Sequence, residues 1–89
     1  MSVRKNINYQ LGNKIIGYRK RLNDLPKTRQ GFIENRSQLF FGSGEWISEK
    51  SLANYENGRN IPSLEMVKKL AVAFEVDEVQ FVADLLSCL

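Results

Sequence analysis

The chain has 89 residues, of which 43% are hydrophobic, 26% charged and 10% aromatic, a globular mixture that suits one small domain and not two. One cysteine, Cys88, and no histidine exclude an intrachain disulfide framework, the common zinc sites and any Ser-His or Cys-His hydrolase. The net charge of +3 is divided unevenly: residues 1–36 carry nine Lys and Arg against two acids, a net +7, and residues 37–89 carry a net −4. A basic half suggests contact with a polyanion; the alternative is a lopsided solvated surface. No apolar run approaches the roughly 20 residues needed to span a bilayer. The N-terminus has no apolar stretch of the signal-peptide type, so a cytoplasmic protein is expected.

Residues 1–9 lack periodicity and are expected to form a flexible tail, with a domain over 10–89. A basic arm of this kind can also probe a DNA minor groove. Leu11, Ile15, Tyr18 and Leu22 then fall on one helical stripe, which should end near Asn23-Asp24 ahead of Pro26. Thr28 is the expected N-cap of a second helix over about 28–41. Phe32, Ile33, Arg36, Leu39 and Phe40 repeat there with helical spacing, and Gly42 follows as its terminator. Gly42 to Ile47 reads as a turn by composition. Ser48 should cap a third helix that Gly58 ends. Ser63 should cap a fourth, whose apolar stripe is Leu64, Val67, Leu70, Ala71 and Phe74. Asp77-Glu78 open a fifth, with Val79, Val82, Leu85, Leu86 and Leu89 as its apolar positions. The expected fold is therefore all-α, a compact five-helix bundle.

The third helix, about 48–57, is the informative one. At 100° per residue, Ser48, Leu52, Tyr55 and Glu56 cluster on one side, while Lys50, Ala53, Asn54 and Asn57 fall on the other with Glu49 on the flank. The outer face offers amide, ammonium and carboxylate groups. An Asn amide pairs with adenine, Lys donates to guanine and Glu accepts from cytosine. The same face also fits an ordinary solvated helix.

The run from Ile47 through Glu56-Asn57-Gly58 to Pro62-Ser63 resembles the Cro/CI family of helix-turn-helix regulators, the phage-repressor type. Leu70-Ala71, Phe74 and Val76 resemble the family's fourth helix, and Leu11-Gly12 with Arg19 its first. The resemblance implies the lambda-repressor-like fold and assigns roles by position. Glu49, Lys50 and Asn54 would read bases. Arg29, Ser48, Asn57, Arg59 and Asn60 would contact the phosphate backbone. Arg19 and Glu56 would form an ion pair beneath the recognition helix. The partner implied is double-stranded DNA, with an inverted-repeat operator, and no cofactor or metal is implied. A small repressor of bacterial, phage or mobile-element origin fits this type. The sequence departs from the pattern in two places. Between the start of helix two and Ser48 it is about nine residues longer, giving an extended helix two and an enlarged turn before the recognition helix; about three further residues extend the connection around Leu25-Pro26-Lys27.

Three features stay open between readings. Phe40, Phe41 and Trp46 are either extra core or an exposed aromatic patch for a partner protein. Val82, Leu85, Leu86 and Leu89 either form a dimer surface on helix five or pack internally. Cys88, beside them, reads as a structural thiol rather than a redox switch. A second functional class is a protein-interaction module on the same fold, an antitoxin or adaptor that binds through the 36–47 insertion and the acidic C-terminal end. No nucleophile–base pair can be assembled from these residues, so an enzyme is not expected.

Overall fold

Five helices follow one another in the computed structural model, which describes residues 8–89: α1 (Tyr9–Lys20), α2 (Arg29–Phe40), α3 (Glu49–Glu56), α4 (Leu64–Phe74) and α5 (Glu78–Leu86). Each starts on a side-chain cap that satisfies one of the free N–H groups of its first turn. Thr28 Oγ1 accepts from the Gly31 N–H, Ser48 Oγ from Ser51, Ser63 Oγ from Met66, and Asp77 Oδ2 from Gln80. The first three are the expected caps, and Asp77 stands where the fifth helix was expected to open. Helix α1 differs from expectation: Asn8 caps it through the Leu11 N–H, and Tyr9 is already helical. Those two residues, expected in a flexible tail, belong to the domain because an Asx side chain at position 8 completes the turn. The rest of that expected tail, with its basic arm, lies outside the described residues.

One aromatic column organises the core. Phe41 stacks on Trp46 with ring centroids 4.7 Å apart, and Trp46 meets Phe32 edge-on at 6.0 Å. Phe32 stacks on Phe74 at 5.6 Å, and Phe74 contacts both Tyr18 and Phe81 at 5.7 Å. Leu11, Ile15, Leu52 and Leu70 fill the space around this column and are buried. Aromatic pairs in such offset and edge geometries add about 0.5–1.5 kcal/mol each beyond burial of area.

Two helical registers differ from expectation. In α2 the inward positions are Phe32 and Arg36, while Leu39 and Phe40 are 62% and 40% exposed. The core beneath the end of α2 is filled instead from the following turn, by Phe41 and Trp46. In α5 the deepest side chain is Phe81, fully buried, and Val79 faces solvent. Phe81 and Leu85, four residues apart, face inward together. The burial of Arg36 is offset by three acceptors. Its Nη1 donates to Glu75 Oε2 at 2.6 Å and to the Ala73 carbonyl at 3.2 Å, and its Nε donates to Asn35 Oδ1 at 3.0 Å. Glu75 holds a left-handed backbone, φ 57°, at the end of α4. The pair thus ties α2 to the α4 terminus.

Candidate nucleic-acid interface

Helix α3 is short, and its placement depends on what holds its two ends. At the N-terminal end, the enlarged turn is a packed element. Trp46 is 5% exposed, and its indole N–H donates to the Ile33 carbonyl at 3.1 Å. Ser37 Oγ donates to the Gly44 carbonyl at 2.6 Å, and Gly42 and Ser43 both take left-handed backbone to close the turn. Of the three rings that could be extra core or a partner patch, Trp46 belongs to the core and Phe40 alone is exposed. Trp46 is enclosed, Phe41 is stacked on it, and the Arg36 guanidinium lies 5.2 Å from the centre of the outward Phe40 ring. The large apolar rings are spent on anchoring the turn to α2.

At the C-terminal end, α1 approaches the α3 backbone closely enough to demand glycine twice. A Cβ on Gly12 would collide with the Glu56 carbonyl oxygen, and one on Gly58 with the Asn8 carbonyl. Gly58 also has φ 77°, the left-handed conformation that terminates α3 after its C-cap Asn57. The Asn8 N–H donates to the Gly58 carbonyl at 2.7 Å.

Between these backbones lies the Glu56 carboxylate, whose side chain is fully buried. Arg19 Nε donates to Oε2 at 2.6 Å and its Nη2 to Oε1 at 3.0 Å, the two-point fork expected of a strong guanidinium–carboxylate pair. Arg19 Nη1 also donates to the Lys27 carbonyl at 2.8 Å, fixing the α1–α2 connection. The third member is Arg29, the first residue of α2, whose Nε donates to Glu56 Oε1 at 2.9 Å. The Arg19–Glu56 pair is present as the resemblance implied. The Arg29–Glu56 bond was not foreseen: nothing in sequence spacing couples residues 27 positions apart.

The remaining site residues sit on or beside α3. Glu49 and Lys50 are exposed in its first turn, and Asn54 is half-buried one turn later. Lys50, Asn54 and Asn57 follow one another at spacings of four and three, on one face. Arg59 and Asn60 are exposed, with their N–H groups directed to the Asn54 carbonyl at 2.9 and 3.4 Å. Ser48 is committed to capping, because its hydroxyl accepts from the Ser51 N–H and donates to Ser51 Oγ at 2.9 Å. A groove between α2 and the start of α3 is lined by Gln30, Glu34, Ser37, Glu45 and Glu49 among others. Its carboxylates repel phosphate, so Glu49 is suited to accept from an amino group such as cytosine N4 and unsuited to the backbone. On α5, Leu85 is 6% exposed and serves the core, and Val82 packs against it; only Leu86 and Leu89 of the expected dimer surface face outward.

A helix-turn-helix family model of the Cro/CI type matches residues 35–81, just over half the chain, from the middle of α2 into α5. The chain belongs to this helix-turn-helix family. No curated relative and no solved structure matches it significantly. The fold is thus the lambda-repressor-like helical one, and the domain is that of a DNA-binding helix-turn-helix regulator. Within the match lie the enlarged turn, the whole of α3 and the Pro62-Ser63 connection; α1, Arg19 and Arg29 precede it.

A separate polar tie joins α1 to α5, away from α3. The Tyr18 hydroxyl donates to Asp84 Oδ2. Burial, then this bond to a carboxylate, push the Tyr18 hydroxyl pKa up to about 12. The same bond, with a second from Gln80, holds Asp84 below the usual carboxylate range.

Proposed function

We propose that the protein is a small sequence-specific regulator of transcription, a repressor, that places α3 in the major groove of double-stranded DNA. The supporting observation is the rigid seating of a helix whose outer face carries Lys50 and Asn54. Base readout needs donors held in fixed positions, and α3 is fixed at both ends. Lys50 and Asn54 read bases, with Glu49 accepting from a base amine. Arg29, Asn57, Arg59 and Asn60 contact backbone phosphates, which set register without specifying sequence. Ser48 contributes chiefly through the cap, where its hydroxyl proton is already engaged. In this reading the protein acts in the cytoplasm and binds as a dimer to an inverted repeat, with the outward Leu86 at the end of α5 and Leu89 just beyond it covered by a second copy.

Asn54→Ala tests the assignment. It is expected to cost about 1–3 kcal/mol on the preferred site and to relax preference at one base pair, as read by competition between specific and random duplexes. Equal losses on both duplexes defeat it. Sedimentation at micromolar concentration tests the dimer, and a strictly monomeric protein counts against it.

A further inference from the structure

The Glu56 cluster contains two guanidinium groups and one carboxylate, so it keeps one positive charge, and the two arginines share it unequally. Arg19 is enclosed, with a side chain 9% exposed, and donates through Nε, Nη1 and Nη2. Arg29 is 33% exposed and uses only Nε; its four terminal N–H groups make no hydrogen bond among the described residues. A guanidinium held at Nε by a buried carboxylate keeps its end-on edge, one N–H from each terminal nitrogen, directed away from that contact. It stands at the first position of α2, where uncapped backbone N–H groups also favour an anion.

We propose that Glu56 presets Arg29 as a two-pronged clamp for one phosphodiester group of duplex DNA. Glu56 is then a positioning residue for a phosphate contact, as well as the partner that seats α3 on α1. The surplus charge of the cluster resides on Arg29, and its outward edge matches the geometry of two phosphate oxygens. This rests on the DNA-binding reading above, and it adds that the contact depends on the planar fork rather than on charge alone. Lysine at the same place carries its donors on one nitrogen, without the two parallel N–H groups that meet two phosphate oxygens while Nε stays on Glu56.

The test compares the wild-type protein with Arg29→Ala and Arg29→Lys on one selected duplex. Arg19 still pairs with Glu56 in both variants, and thermal melts check that each folds. Two readouts are taken: the salt dependence of affinity, and interference by single ethylated phosphates. For Arg29→Ala the slope of log K against log salt should become shallower by about 0.9, one phosphate's worth, and interference should vanish at one phosphate only. Arg29→Lys should restore neither. An unchanged slope and interference pattern in Arg29→Ala overturns the clamp, and full rescue by Arg29→Lys overturns the role of Glu56. Absence of duplex binding by the wild-type protein, even at low salt, instead overturns the DNA reading on which the clamp depends.

Discussion

The two ends of α3 are held by different chemistry. The N-terminal end is anchored by rings: Trp46 under the turn, Phe41 stacked on it, and one indole hydrogen bond to α2. The C-terminal end is anchored by charge and close backbone approach: Glu56 between two arginines, and two glycines where α1 nearly touches the chain. Apolar anchoring gains free energy from burial itself, through area removed from water. The ionic anchor gains little net stability, because desolvation of the charges offsets most of their attraction. What it supplies is direction. A two-point guanidinium–carboxylate fork tolerates little rotation, so it holds the C-terminal end of α3 in a defined orientation on α1. The enlarged turn belongs to the apolar end, while the orienting end keeps the Arg19–Glu56 pair that the resemblance implied and adds Arg29 to it.

Mutations at the two ends should separate these contributions. Trp46→Ala should have the largest effect, a loss of about 3–5 kcal/mol in urea unfolding, as for other buried large aromatics. Its salt dependence should be that of the wild-type protein. Glu56→Ala should cost about 3 kcal/mol, because it leaves the enclosed Arg19 cation without its partner. In contrast to Trp46→Ala, it should lower DNA affinity even under conditions where the variant is fully folded, since α3 loses its orienting contact. Equal behaviour of the two variants in folding and binding would erase the proposed division.

A smaller effect is expected at the α1–α5 tie, which touches neither end of α3. Tyr18→Phe should lower the melting temperature modestly at neutral pH and leave DNA affinity unchanged. The sign with pH follows from the two shifts. Asp84 titrates lower in the folded protein than unfolded, so its bond contributes above the ordinary carboxylate pKa of 3.8 and is lost as pH falls through the lower folded value. Tyr18 titrates higher when folded, so its contribution is complete below pH 10 and fades as pH rises towards about 12. The gap in melting temperature between wild type and Tyr18→Phe should therefore narrow at both extremes. A gap constant from pH 2 to pH 7 would contradict the assignment of the acid-side change to Asp84.

Legibility in the sequence followed the range of the interactions. Caps at Thr28, Ser48, Ser63 and Asp77, and the left-handed Gly58, are local and were readable from a few neighbouring residues. Helical phase was less so where apolar residues occupy more than one face. Leu39, Phe40, Val79 and Leu86 fit a helical period yet face solvent, because Phe41, Trp46 and Phe81 occupy the core positions instead. Arg36 carried a usable signal, a charge four residues after Phe32 in the buried phase of α2, but its acceptors at Ala73 and Glu75 lie on another helix. In the candidate site, the outer face of α3 could be read by angle, and the Arg19–Glu56 pair from the resemblance. The Arg29–Glu56 bond and the enclosure of Trp46 depend on how α2 crosses α3, which no local spacing encodes.

The most direct test of the central claim is selection of binding sites from a random duplex pool at near-physiological salt. The account predicts enrichment of an inverted repeat with half-sites about 10 base pairs apart. It also predicts that Asn54→Ala, run in parallel, loses preference at one position of each half-site. No enriched sequence with the folded wild-type protein would contradict readout of DNA by α3.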